Sequence, residues 1–182
     1  MKVLAIVGSL RKGSYNKLTL RAAMELKPAE MEIEDFDIAP IPPYNEDLRE
    51  QGFPPPVQML RDKIAAADAL LFVTPEYNYS MPGVLKNAID WASRPPERVF
   101  DGKPAAMLGA SGGRFGTARA QYHLRQTGVF LNLHFINKPE VMISFAEKAF
   151  DASGRLTDEF ARKLIGELLL NLRSWSKQLQ VK

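Results

Sequence analysis

Residues 69–73, Ala-Leu-Leu-Phe-Val, form a short apolar run with no polar alternation. Such a run is the mark of a strand buried on both faces of a sheet. It gives way at once to the polar-aromatic stretch Pro75-Glu76-Tyr77-Asn78-Tyr79-Ser80. Pro82 and Gly83 then open a helical pattern with apolar Val84, Leu85, Ala88, Ile89 and Trp91. A buried strand, a polar loop at its carboxyl end and a helix start describe the place where open α/β sheets bind ligands. A loop this rich in aromatic and amide groups suits a flat, hydrogen-bonding ring better than a sugar or a metal.

The same alternation runs through the chain. Residues 3–7 read as a first buried strand, and residues 8–16, Gly-Ser-Leu-Arg-Lys-Gly-Ser-Tyr-Asn, lead into a helix over 16–26. Residues 31–36 alternate apolar and polar, as an edge strand does. A long proline-rich segment spans 37–56, the length of a functional loop, and a helix is expected over 57–67. Further strands are predicted at 103–110 and 129–135, with 139–143 as an extension of the last, and a helix at 117–126 between them. The last helix is expected over 157–177, with Thr157 as N-cap and Phe160, Leu164, Leu168, Leu172 and Trp175 on its apolar face. Strand and helix alternate with no repeat and no linker, so residues 1–182 read as one domain with a doubly wound parallel sheet. Five strands favour the order 2-1-3-4-5. In that order the loops at 8–16, 75–80 and 111–116 lie side by side.

Each loop has its own chemistry. The first suits a phosphate: Gly8 and Gly13 permit tight turns, Ser9, Ser14 and Asn16 donate neutral hydrogen bonds, Arg11 supplies a cation, and a helix N-terminus follows. Its glycine spacing echoes a triphosphate loop, but no lysine precedes Ser14 and no acidic strand end suits magnesium. A single terminal phosphate fits better, with an ordinary strand–helix turn as the plain alternative. In the second loop Glu76 and Asn78 are placed to meet the polar edge of a ring, and Tyr77 or Tyr79 to lie against it. The alternative there is that the tyrosines cap the core. The third loop, Ser111-Gly112-Gly113-Arg114-Phe115-Gly116, misses the dinucleotide fingerprint, because Ser111 stands at its first glycine and it follows the fourth strand. It suits the third wall of a flat pocket.

Composition removes other classes. The chain lacks cysteine, which excludes disulfides, thiolate nucleophiles and cysteine metal sites and fits a cytoplasmic protein. His123 and His134 have no ligand partner at metal spacing and read as packing or surface residues. The net charge of +3 gives no sign of nucleic-acid binding. No run is long enough to cross a membrane, and no signal-peptide pattern is seen.

The motifs at 8–16, at 75–91 (PEYNYSMPGVLKNAIDW) and at 111–125 together resemble the NAD(P)H-dependent FMN reductases. This is a flavodoxin-like group that includes bacterial chromate and quinone reductases. The resemblance implies a three-layer fold with a five-stranded parallel sheet. It implies that Ser9, Arg11, Ser14, Tyr15 and Asn16 hold the FMN phosphate end. Pro75, Glu76, Tyr77, Asn78 and Tyr79 would hold the isoalloxazine, with Ser111, Gly112, Gly113, Phe115 and Gly116 lining it. Arg114, Phe115 and Thr117 depart from the small residues usual in that loop. It further implies ping-pong hydride transfer from NADPH or NADH, two-electron reduction of quinones, and chromate, azo compounds or free flavin as further acceptors. A homodimer or homotetramer is implied as well, with no side chain required as acid or base in the first half-reaction. Two other readings stand beside it: a flavodoxin-type electron carrier, against which the basic pI near 9.1 counts, and a flavin-free scaffold.

Overall fold

A computed structural model describes residues 1–180. The alternation of apolar runs and amphipathic stretches builds one parallel sheet with helices on both faces. In chain order the elements are β1 (Lys2–Val7), α1 (Tyr15–Leu26), β2 (Glu32–Phe36), α2 (Glu46–Glu50), α3 (Pro55–Ala66), β3 (Ala69–Val73) and α4 (Gly83–Ala92). They continue with β4 (Pro104–Ala110), α5 (Ala118–Phe130), β5 (His134–Phe135), β6 (Val141–Ile143), α6 (Ala146–Ala149) and α7 (Glu159–Gln180). The sheet order is β2-β1-β3-β4-β5, with β6 also pairing β4. This is the expected 2-1-3-4-5 order with a sixth strand added.

Strand residues divide by parity, as successive side chains on a strand must. Val3, Ala5, Val7, Leu71, Val73 and Leu108 join Leu20 of α1 and Ile165, Leu168 and Leu172 of α7. Leu4, Ile6, Leu70, Phe72 and Met107 join Leu60 and Ile64 of α3 and Leu85 and Ile89 of α4. Each large apolar side chain sealed this way contributes about 1.5–3 kcal/mol. β3, in the centre, is buried along its whole length.

Three expectations are corrected. Val129 and Phe130 do not begin a strand. They end α5, at 81% and 87% exposure. The helix continues because Gly128 lets the ring of Phe135 pack against it, where any Cβ would lie 2.3 Å from that ring. What remains of the fifth strand is His134–Phe135, and residues 141–143 form a separate strand against β4 rather than an extension of it. The proline-rich segment 37–56 is more than a loop, since it holds α2 and the first two residues of α3. In the last helix, Phe160 is 68% exposed and Thr157 is not the cap. Asp158 accepts the Ala161 N–H at 3.0 Å instead, and Ala161, Ile165, Leu168 and Leu172 set the buried face.

Candidate active site at the carboxyl edge of the sheet

The ends of β1, β3 and β4 are locked to each other by backbone bonds. The Gly8 N–H donates to the Val73 carbonyl at 2.9 Å, and Thr74 N–H donates to Leu108 O at 3.0 Å. Gly109 makes this close approach possible, because a Cβ there would sit 2.2 Å from the Thr74 carbonyl. The loops that leave these three strands therefore start from adjacent points.

In the first loop Ser14 caps α1, its hydroxyl accepting the Asn16 N–H at 3.2 Å. The first turn of α1 carries Tyr15, Asn16 and Lys17 and no carboxylate. Ser9 and Ser14 are buried there. Arg11 is exposed, with its guanidinium carbon 5.5 Å from the centre of the Tyr15 ring, and that ring stacks on Phe150 at 5.9 Å. A helix N-terminus with hydroxyls, an exposed cation nearby and no acid in its first turn is a donor set for a phosphate monoester. Asn16 stands differently from its expected use. Its side-chain amide is buried and bonded both ways to the backbone of Ala110 at the end of β4. It ties the first loop to the end of β4 through one amide N–H and the amide oxygen.

In the second loop Tyr77 and Ser80 exchange two backbone hydrogen bonds, at 2.9 and 3.0 Å. Asn78 and Tyr79 between them have φ of 49° and 67°. Two successive left-handed residues across such a pair make the tight turn usually reserved for Asn-Gly. Asn is a residue that tolerates this region and Tyr is not, so strain is stored at Tyr79. The turn leaves Tyr77 and Tyr79 half or more exposed, at 50% and 69%.

Glu76 faces away from the open side of the turn. Its carboxylate caps α5, accepting the N–H groups of Arg119 at 2.9 Å and Ala120 at 3.2 Å, and pairs with the Arg119 guanidinium at 2.5 Å. Only 6% of the side chain is exposed. Three donors on the helix and Arg119 hold this carboxylate, so it joins the second loop to the third. Arg119, which sequence reasoning did not single out, is central here. Its guanidinium carbon lies 3.8 Å from the Tyr79 ring centre and 4.9 Å from that of Phe115. Nothing in the sequence distinguishes this arginine from others on solvated helix faces.

The third loop is folded by its own polar groups. The Ser111 hydroxyl accepts the Gly113 N–H at 3.1 Å, and the loop is stapled to residues 143–146 by Ser111, Gly113 and Arg114. Gly116 has φ of 56° and packs on Met142, where a Cβ would meet the carbonyl carbon at 2.8 Å. Gly112 and Gly113 are exposed and Phe115 is 55% exposed, so this wall is open backbone plus one aromatic ring. Among the described residues no group of His, Cys, Asp and Glu could hold a metal ion, and no helix is long and apolar enough to cross a membrane.

A family model described as NADPH-dependent FMN reductase matches residues 1–148. The chain is 66% identical over 180 residues to an NAD(P)H-dependent FMN reductase of Pseudomonas aeruginosa, covering 99% of this chain and 97% of that one. It is 52% identical over 188 residues to an NAD(P)H:quinone oxidoreductase of Solanum tuberosum, covering 100% and 96%. Among solved structures, FerB from Paracoccus denitrificans, a flavoenzyme NAD(P)H:(acceptor) oxidoreductase, superposes with a TM-score of 0.89 at 37% identity, over 97% of both chains.

Proposed function

Since the chain belongs to the NADPH-dependent FMN reductase family and is an NAD(P)H-dependent oxidoreductase that uses FMN, we propose that its three carboxyl-edge loops are the FMN site. Ser9, Ser14, Arg11 and the amides that open α1 receive the phosphate. Tyr15 supports Arg11 from below through its stack on Phe150. The turn of residues 77–80 and the backbone of Pro75 and Glu76 receive the ring, and Ser111, Gly112, Gly113, Phe115 and Gly116 bound it on the far side. Asn78 meets the polar edge. FMN held by these residues would supply the redox chemistry, hydride acceptance from the nicotinamide and two-electron transfer to the acceptor.

The protein's own contribution is placement. Glu76 and Arg119 hold the second and third loops together, Asn16 holds the first to β4, and the left-handed turn at Asn78 and Tyr79 sets the direction of the aromatic wall. The observation that carries this reading is the convergence of these loops at one sheet edge with a phosphate donor set at one end and aromatic rings at the other. Quinones are the acceptors this reading favours, as in the potato relative's name, with chromate, azo compounds and free flavin taken at the same open face. It further holds that residues 1–182 act as one FMN-binding domain, in a cytoplasmic homodimer or homotetramer.

The purified protein should be yellow, and anaerobic NADPH should bleach its visible band. Addition of a benzoquinone should restore the band at the rate of turnover. A colourless protein that cannot be reconstituted with FMN would remove the site.

A further inference from the structure

Ser80 closes the turn of residues 77–80, and its hydroxyl oxygen lies 2.9 Å from Nδ1 of His123 on α5. Ser80 is partly buried and His123 is exposed. This bond ties the second loop to α5 one helical turn beyond the Glu76–Arg119 pair. The histidine is therefore wired to the loop that the proposed function places against the ring, while its outer edge meets water.

The reaction needs what such a pair can give. Reduction of a quinone runs as NADPH + H⁺ + quinone → NADP⁺ + hydroquinone. The hydride carries both electrons and one hydrogen nucleus, so one of the two product oxygens takes a proton that the nicotinamide does not supply. Arg119, one turn before His123 on α5, is paired with Glu76, which also caps the start of that helix, and the turn that holds Ser80 carries the phenols of Tyr77 and Tyr79. Imidazole is the side chain that changes charge between roughly pH 5 and pH 8. Among the described residues no hydrogen bond reaches the other ring nitrogen of His123, and Thr127 donates its hydroxyl to the His123 backbone carbonyl.

We propose that Ser80 and His123 form a proton wire for the acceptor half of the reaction. Resting on the assignment of residues 75–80 to the ring, the wire works in one concerted shift. The Ser80 O–H gives its proton to the anionic oxygen of the reduced acceptor, the His123 Nδ1–H replaces it on Oγ, and His123 recovers a proton from water. Ser80 touches the acceptor, and His123 acts through it as a positioning and proton-supplying residue.

The test uses the FMN-loaded protein with His123→Asn, whose amide can keep the bond to Ser80 but cannot titrate, and Ser80→Ala. Reduction by NADPH and reoxidation by 1,4-benzoquinone or by ferricyanide are followed separately by stopped flow. Ferricyanide takes electrons with no proton. His123→Asn should leave FMN affinity and the NADPH step unchanged and slow benzoquinone reoxidation about tenfold or more. It should also flatten that step's dependence between roughly pH 5 and pH 8 and leave the ferricyanide step as it was. Ser80→Ala should slow the benzoquinone step likewise. In the apoprotein it should shift the His123 ring nitrogen resonances, a readout independent of turnover. An unaltered pH profile in His123→Asn, equal slowing with ferricyanide, or unshifted ring resonances in Ser80→Ala would overturn the wire alone. Wild-type protein that fails to bind FMN would overturn the wire together with the site it rests on.

Discussion

Asn16 and Ala110, 94 residues apart, are joined by two hydrogen bonds of 2.9 Å: the Asn16 amide donates to the Ala110 carbonyl, and the Ala110 N–H donates to the Asn16 oxygen. An amide is the one small group that completes a strand end in this way, acting as a single residue of a neighbouring strand. The pair fixes where the first loop enters α1 relative to the last residue of β4.

Replacing Asn16 by Ala should therefore cost stability as well as FMN. Two buried backbone groups of Ala110 would lose their partners, at about 1–3 kcal/mol each. Urea unfolding should show a loss of roughly 2–6 kcal/mol, with weaker FMN binding. A loss well under 1 kcal/mol would mean that water or a neighbouring group takes over the bonds.

Arg11 predicts the opposite separation. It is exposed and its one aromatic contact is with Tyr15 at 5.5 Å, so Arg11→Ala should leave the unfolding midpoint where it is. FMN affinity should fall by roughly 1.5–3 kcal/mol, the loss of a charge-assisted bond, as read by quenching of flavin fluorescence. Unchanged affinity would take Arg11 out of the phosphate site.

At Asn78 the backbone decides. With φ of 49°, glycine should be accepted without strain, whereas valine should cost about 1–2 kcal/mol. Asn78→Gly should thus fold normally while shifting the visible spectrum of bound FMN. Asn78→Val should lower the melting midpoint. A normal spectrum and turnover in Asn78→Gly would show that its side chain does not meet the ring.

Lys103 gives a pH test away from the site. Burial holds its ammonium below the usual 10.5, partly offset by Asp68, while Nζ donates to the carbonyls of Ala65 and Ala67. Between that lowered value and 10.5 the unfolded chain binds a proton that the folded chain has released. The Lys103 contribution to stability therefore rises with pH across this alkaline window. The stability difference between wild type and Lys103→Gln should move in favour of wild type as pH rises through the window. A difference that stays constant would refute the shift.

The central strands were legible because burial on both faces leaves no choice of residue, as in Ala69-Leu70-Leu71-Phe72-Val73. The periphery was not. Val129 and Phe130 are apolar yet exposed, and only the packing of Phe135 on Gly128 shows that they end a helix. The site divides in the same way. The position of the loops followed from strand order, but the duties of Asn16 and Glu76 depend on Ala110 and on Arg119 and Ala120. Local pattern carries no trace of partners so distant. His123 carries no local sign of its partner, since its link to Ser80 spans 43 residues.

The last edge of the sheet is cut in two, with His134–Phe135 and Val141–Ile143 each covering a different part of β4. Neither fragment offers a run of free peptide groups as long as an ordinary strand, so a foreign chain finds no template there for fibril-like growth. The opposite border is studded with Glu32, Glu34 and Asp35, charges that an incoming strand would have to strip of water. Both margins thus discourage aggregation, which leaves the protein free to keep its reactive face uncovered.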